Sequence, residues 1–377
     1  MKMIVSRDSL AEALAPIVRI TPSKTVMPIL THVLLQTSES GELAITATNL
    51  DVAMTRRIHA DVHEGGACTV PASTLAEYIG TLPSGGQVTM DLDEKSHRLA
   101  LTCNRSFARM ATLDANDFPP MNGGDAAPLM LVPASVLRTI IGDVEYAAAT
   151  DNSRPVLAGV ALIGRGDTCD FAAADGFRMA VRTIATPDGV PSDLSTIIIP
   201  AHALRHVAQV LPKTEETVTI TAAPNVMTFE VGQTTVTTRL VDGQFPDYTR
   251  IIPQETPVRV VANRLDLVQA VKAARVFGRQ GTELMRLNVD TETAHLTISA
   301  SGSEVGDGSS TVDLADVLGD PMDVGYNGRY LLDALEHLRS DQVELCCSGP
   351  TSPGMLRPVG DEHDRVLSVI MPMVVAQ

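Results

Sequence analysis

The sequence predicts an α+β fold built three times over, each copy a layer of helices on an antiparallel sheet. Two observations carry this. First, segments recur at a spacing near one third of the 377 residues: PASTLAEYIGTLP from Pro71 returns as PAHALRHVAQVLP from Pro200, Pro28-Ile29-Leu30 as Pro155-Val156-Leu157, and ATNLDVAMTRR from Ala47 as AADGFRMAVRT from Ala173. A more diverged third copy opens at Val261 and contains NGRYLLDALEHL from Asn327. Second, each copy alternates helical and strand-like patterns in the order helix, strands, helix, strands. A period this long lies far above solenoid repeats, so each copy is a whole domain.

In the first copy, Leu10, Leu14 and Ile17 keep helical spacing, and HVLLQT and ELAITAT alternate as half-buried strands do. The Pro71 segment gives a second helix. Gly85-Gly86 then introduces the strand pair QVTMDLD and RLALTC. In the second copy, Val136, Leu137, Ile140, Ile141 and Val144 make an apolar helical face. The strands ALIGRG, CDFAAA and MAVRTI follow, then a helix from His202, then TVTITAA, VMTFEV and TTVTTRLV. The third copy begins with the helix in VANRLDLVQAVKAARVF. The Gly- and Pro-rich stretches MNGGDAAPLM and IIPQETPVR read as linkers. They set domains at 1–123, 124–253 and 254–377.

Composition narrows the function. The chain is 44% hydrophobic, enough for three cores, and has no Trp, so those cores are aliphatic. No apolar run reaches a membrane span and the N-terminus is too short in apolar length for a signal peptide, which predicts a cytoplasmic protein. The five cysteines fit no metal spacing and read as reduced and buried; no cofactor is expected. Walker A, GxGxxG, HExxH and GxSxG patterns are all missing. Arg165-Gly166-Asp167 reads as a turn, and Asp175, Asp242 and Asp247 sit in Asp-Gly and Pro-Asp turn contexts. Nothing here supports an enzyme.

The net charge of −16 argues against nucleic acid taken as a sum, but distribution matters more. His202, Arg205, His206 and Gln209 form one polar stripe of a helix whose opposite stripe, Leu204, Val207, Ala208 and Leu211, is apolar. Lys272, Arg275 and Arg279 form a comparable stripe, and Arg138 lies on the second copy's first helix. The Pro71 helix lacks such residues, and the third copy's second helix is mixed.

At this point MKMIVSRDSL, VMPILTHVLLQ, AADGFRMAV, LVDGQFPDY, VGYNGRYLLDAL and the closing VIMPMV resemble, in order and end to end, the β subunit of bacterial DNA polymerase III, the replicative sliding-clamp family. The resemblance implies a ring-shaped head-to-tail homodimer. Its inner helices, backed by an outer antiparallel sheet, surround duplex DNA without reading its sequence. It implies DNA-facing roles for Lys24, Arg138, Arg154, Arg205, Lys272, Arg275 and Arg279, and an apolar joint of Phe107 and Met110 with Val276 and Phe277. It implies a clamp loader, and a polymerase and repair proteins bound through short peptides. The peptide pocket would comprise Leu157, Gly176, Phe177, Arg178, Met179, Pro246, Arg250, Ile251, Asn327, Tyr330, Val369, Ile370, Met371, Pro372 and Met373. Its apolar residues form an adaptable trough, and Arg178, Arg250, Asn327 and Tyr330 would bond an extended backbone at its rim. Two departures stand out: Phe177 where the family often has His, and Val374 where it commonly has Arg. The readings from other classes are a metabolic enzyme on a triplicated scaffold and a DNA-independent assembly protein.

Overall fold

The computed structural model describes residues 1–121, 126–151, 153–186, 196–279 and 281–374. Six α-helices are found among them, two per repeat: α1 (Arg7–Ile17) and α2 (Ala72–Thr81), α3 (Ala134–Val144) and α4 (Ala201–Val210), α5 (Arg264–Gly278) and α6 (Gly328–His337). Polar side chains start three of them. Ser6 Oγ accepts from Ser9 N, Asn263 Oδ1 from Leu265 N and Asp266 N, and Asn327 Oδ1 from Arg329 N and Tyr330 N.

The chain packs as two compact units, Met1–Arg138 with His202–Leu240, and Thr139–Ala201 with Val241–Gln377. Each holds one sheet whose described pairings are all antiparallel. The twelve-stranded sheet of the first unit runs from edge strand Ser106–Ala111 through Arg98–Cys103, Gln87–Asp93 and Lys2–Ser6 to the long strand Val52–Glu64. It continues through Thr234–Arg239, Val226–Val231 and Thr217–Ala223 to Pro128–Pro133. The thirteen-stranded sheet of the second unit includes Thr168–Ala174, Arg178–Ala185, Val366–Ile370, Gly354–Pro358, Gln342–Cys347, Val258–Asn263 and Gly306–Leu318 in that order.

The two units cut the central repeat, whereas the sequence marks three copies. The reason is visible in the register. Thr234–Arg239, which closes the second repeat, pairs with Val52–Glu64 of the first, from Thr234↔Arg56 to Thr238↔Val52. Val366–Ile370, which closes the third, pairs with Arg178–Ala185 of the second, from Arg178↔Ile370 to Arg182↔Val366. Sheet hydrogen bonding runs straight across both repeat boundaries, so packing shows no gap there. The linker boundary at 123/124 lies outside the described residues.

Aliphatic side chains fill the cores, as the composition requires. Leu10, Leu14 and Ile17 of α1 are fully buried, as are Met3, Leu35, Ile45, Leu75 and Ile79. In the second unit, Val271 and Ala274 of α5 pack with Met285, Ile298, Leu331 and Leu335. All five cysteines are free and buried.

An arginine on the first helix of each repeat caps the second. Arg7 donates Nε to Ile79 O (3.0 Å) and Nη2 to Gly80 O (2.9 Å) at the end of α2. Arg138 donates Nη1 to Ala208 O (2.9 Å) and Nη2 to Leu211 O at the end of α4. Arg264 donates Nη1 to Leu335 O (3.3 Å) in the last turn of α6 and Nε to Ser340 O (2.9 Å) just beyond it. A cation at a helix C-terminus satisfies orphan carbonyls and opposes the negative end of the dipole. Removing Arg138 (Arg138→Ala) should lower unfolding free energy by about 1.5–3 kcal/mol, the usual worth of hydrogen bonds to a charged group. Urea titration followed by circular dichroism would read it, with Arg138→Lys failing to restore most of the loss because an ammonium cannot span the carbonyls.

One buried carboxylate makes stability depend on pH. Asp143 lies 3.3 Å from Arg182 Nη1 and 3.5 Å from Arg339 Nε with its side chain 3% exposed. Burial pushes its pKa up to about 6 against the opposing pull of Arg339 and Arg182. The folded state therefore holds this proton more tightly than the unfolded chain. The group's contribution is full below its ordinary value near 3.8 and is lost as pH rises through about 6. Thermal melts of Asp143→Asn between pH 4 and 7 should lack this downward component.

Candidate functional site

The residues assigned to a peptide pocket all belong to the second unit, and local backbone chemistry explains how several are presented. Asp175 Oδ1 accepts from Phe177 N (2.8 Å) and Arg178 N (2.9 Å), folding a tight turn in which Gly176 takes φ +94°. The turn holds the Phe177 ring 60% exposed. Phe177 O in turn accepts from Met371 N (2.8 Å). The following pair Pro372–Met373 adds to strand Met322–Asn327, with Tyr326↔Pro372 and Gly325↔Met373. The C-terminal segment is thus pinned at the turn and at a sheet edge, leaving Met371 and Val374 exposed. Val375, Ala376 and Gln377 lie outside the described residues.

Met179 and Val369 face each other across the strand pair, and both are buried. They join an apolar cluster with Ala172, Val181, Leu367 and Tyr248, against which Phe245 and Ile252 pack. Tyr248 anchors the linker. Its hydroxyl donates to Asp170 Oδ2 (2.6 Å), and burial pushes its pKa up to about 12. Asp247 shapes the turn by accepting from Thr249 Oγ1 (2.6 Å) and Arg250 Nε (3.0 Å). Bonding to Thr249 holds its carboxyl below the ordinary range. Pro246 and Arg250 stand exposed on the segment leading into the linker, and Ile251 at its start. The set therefore divides into buried residues, with Met179 and Val369 on one sheet face, Ile370 on the other and Leu157 apart, and an exposed group of Phe177, Pro246, Ile251 and Met371.

Two expected rim donors have other work. Arg178 is buried; its Nε bonds Asp175 Oδ2 (3.0 Å), its Nη1 bonds Asp333 Oδ2, and its guanidinium lies over the rings of Tyr330 (4.6 Å) and Tyr146 (5.5 Å). It is an internal clamp rather than a hand held out to solvent. Asn327 spends its carbonyl oxygen on the start of α6. Tyr330 and Arg250 remain accessible.

The cations sort differently from their sequence stripe. Lys24, Arg205 and Arg279 are exposed. Lys272 is half-exposed and paired with Glu336 (2.6 Å). Arg275 forms a two-pronged pair with Glu283 (2.8 and 2.9 Å) and is largely buried, and Arg138 is part-buried with both Nη atoms on the end of α4; both depart from the expected DNA-facing role because their guanidinium groups are turned to the protein's own acceptors. Arg154 lies against the Asp175-Gly176 turn, its Nη2 bonding Asp175 O (3.0 Å), where a Cβ on Gly176 would sit 3.1 Å from it. It is exposed and tied to the turn that presents Phe177. Arg19, which the stripes missed, donates Nη1 to Gln209 Oε1 (3.2 Å) and extends the α4 stripe. Burial lowers the pKa of His202 and His206.

At the expected joint, Phe107 is 56% exposed beneath the Arg109 guanidinium, and Val276 is 61% exposed. Met110 is buried, since it stands three places from Phe107 on one strand and so points to the other face. Phe277 is half-buried against Gly308, where a Cβ would lie 2.3 Å from its ring. Among the described residues no His, Cys, Asp and Glu group could hold a metal ion, and no helix is long and apolar enough to cross a membrane.

Three family models match in succession: the N-terminal domain of the DNA polymerase III beta subunit over residues 1–122, its central domain over 131–247 and its C-terminal domain over 249–374. The chain is 28% identical to the beta sliding clamp of Caulobacter vibrioides over 377 residues, covering 99% of this chain and 100% of that one. It is 27% identical to that of Synechococcus elongatus, covering 99% of both. A crystal structure of the DNA polymerase sliding clamp from Pseudomonas aeruginosa superimposes with a TM-score of 0.92 at 27% identity over the whole of both chains.

Replacing the internal clamp should cost stability rather than merely affinity. Arg178→Ala leaves two carboxylates without their partner and should destabilise by roughly 3–5 kcal/mol. Arg250→Ala, on the exposed lip, should change it by less than about 0.5 kcal/mol. Chemical denaturation of both variants checks the contrast.

Proposed function

The chain belongs to the DNA polymerase III beta-subunit family, and from that premise we propose that it is a sliding clamp, a non-enzymatic processivity factor. Two copies join head to tail, encircle duplex DNA and tether the replicative polymerase. A clamp loader opens the ring, and repair proteins share the same peptide pocket. The protein works in the cytoplasm, as three clamp domains bounded near 1–123, 124–253 and 254–377.

The observation that carries this reading is an unmatched pair of sheet edges. The closing strands of the second and third repeats each pair with the long strand of the repeat before. The closing strand of the first, Ser106–Ala111, pairs among the described residues only with Arg98–Cys103 along its length. The corresponding stretch 306–313 of Gly306–Leu318 pairs among the described residues on one side only, with His295–Gly302. An open strand edge is a template for another chain. Each copy therefore offers one edge of each kind, and two copies can satisfy both by the pairing already used twice within the chain. Phe107 lies on one edge strand. Phe277 packs on Gly308 of the other, with Val276 beside it.

The charge pattern suits sliding. An acidic exterior disfavours stray DNA contacts, while exposed Lys24, Arg205 and Arg279 supply weak, sequence-blind attraction to phosphates. Retention then comes from topology, so affinity can stay low enough for movement.

Phe107→Asp and Val276→Asp should each yield folded monomers by sedimentation velocity, because a desolvated carboxylate opposes closure. Persistent dimers in both variants would refute the joint. Neutralising Lys24, Arg205 and Arg279 together should leave the dimer intact but flatten the salt dependence of DNA retention.

A further inference from the structure

Beyond the peptide trough, the strands Arg178–Ala185 and Val366–Ile370 lead into a second, polar cleft of about 290 Å³. Side chains alternate along a strand, so Met179, Val181 and Thr183 share one face, opposite Val369, Leu367 and Arg365. The first pair is trough floor, while Thr183 and Arg365 line the cleft with Arg165, Tyr248, Arg357 and His363. The two sites are thus four residues apart along one strand pair, roughly 13 Å.

Every carboxylate around this cleft already has a basic partner. Asp170 accepts from Arg165 Nε (2.6 Å), the Tyr248 hydroxyl (2.6 Å) and Thr183 Oγ1 (2.6 Å). Glu344 bonds Arg259 (3.0 Å) and His363 Nε2 (2.9 Å), and Asp364 lies 3.0 Å from His363 Nδ1. Glu362 serves Arg182 and, at 3.6 Å, Arg365. Arg357 is left over. It stands across the strand pair from Glu344, whose two oxygens are both taken, and its guanidinium has no hydrogen-bond or ion-pair partner among the described residues. A half-buried guanidinium without a counter-ion is an unmet electrostatic demand in a chain whose net charge is −16.

We propose that this cleft receives an acidic side chain from the partner segment that occupies the neighbouring trough, with Arg357 as the principal counter-ion and Arg365 as its support. The inference rests on the clamp reading for its choice of partner. Charge complementarity selects the chemistry: a carboxylate in extended peptide reaches the cleft from the trough with about four further residues. It would give the clamp a means of ranking partners by their flanking sequence.

The test uses two fluorescein-labelled peptides with the same Leu and Phe anchors, one carrying three Glu at each end and one carrying three Gln at each end. Anisotropy titrations on the full dimer at low salt should show the Glu peptide binding about threefold tighter or better, the scale of partly exposed ion pairs. A general effect of this acidic protein would have the opposite sign. The preference should fall to about one in Arg357→Ala, shrink in Arg365→Gln and decline with salt, while the Gln peptide binds all three proteins alike. Equal binding of the two peptides to the unaltered protein, or a preference that survives in Arg357→Ala, overturns the proposal. If the Gln peptide fails to bind while the Glu peptide binds in an Arg357-dependent way, the cleft stands and the trough assignment falls. If neither binds, both fall.

Discussion

Backbone hydrogen bonding between the closing strand of one repeat and the long strand of the preceding repeat is the constraint on which the molecule depends. A three-copy chain made of separate sheets would expose an edge at every boundary, each an invitation to aggregation. Here Val52–Glu64 and Arg178–Ala185 each accept a neighbour's last strand, so the boundaries become sheet interior. This is why compactness divides the chain into two units rather than three. It is also why, among the described residues, the closing strand of the first repeat and the stretch 306–313 of the third are each left with an unpaired side, an arrangement that a second copy can satisfy without new kinds of contact.

The same economy governs charge. Arg7, Arg138 and Arg264 close helix ends, while Arg178, Arg182 and Arg275 hold buried or half-buried carboxylates. Most of the internal electrostatics therefore serves architecture. What remains for DNA is a sparse set of exposed cations, which fits a protein that must hold DNA without gripping it. What remains for partners, on the proposed assignment, is an apolar trough edged by Phe177, Ile251 and Met371, beside the Arg357 guanidinium, which has no counter-ion among the described residues.

The repeats, the helices and the aliphatic cores were legible in the sequence because each depends on local periodicity. Leu10, Leu14 and Ile17 fall on one buried face as their spacing requires, and the Pro71 and Pro200 segments both become helices. Roles set by long-range partners were not legible. Nothing near Arg138 in sequence announces that the end of α4, some seventy residues on, needs a cap. Arg178 sits in a motif that suggests a rim, yet Asp333 and Tyr330 draw it inside. Arg154 resembles Lys24 by its place before a Pro-x-Leu element, but the Asp175-Gly176 turn claims it. Two misplacements did leave a signal. Phe107 and Met110 differ by an odd number of places on a strand, which puts them on opposite faces, and Glu283 lies only eight residues from Arg275.

The central claim is that the protein is held on DNA by encirclement rather than by affinity. The most direct measurement loads the labelled protein onto nicked circular plasmid with a clamp loader, isolates the complex by gel filtration, then cuts the circle once with a restriction enzyme. Encirclement predicts retention on the circle at salt concentrations that abolish ordinary binding, and prompt loss after linearisation. Loss from the intact circle as fast as from the linear form, or retention on both, would contradict it.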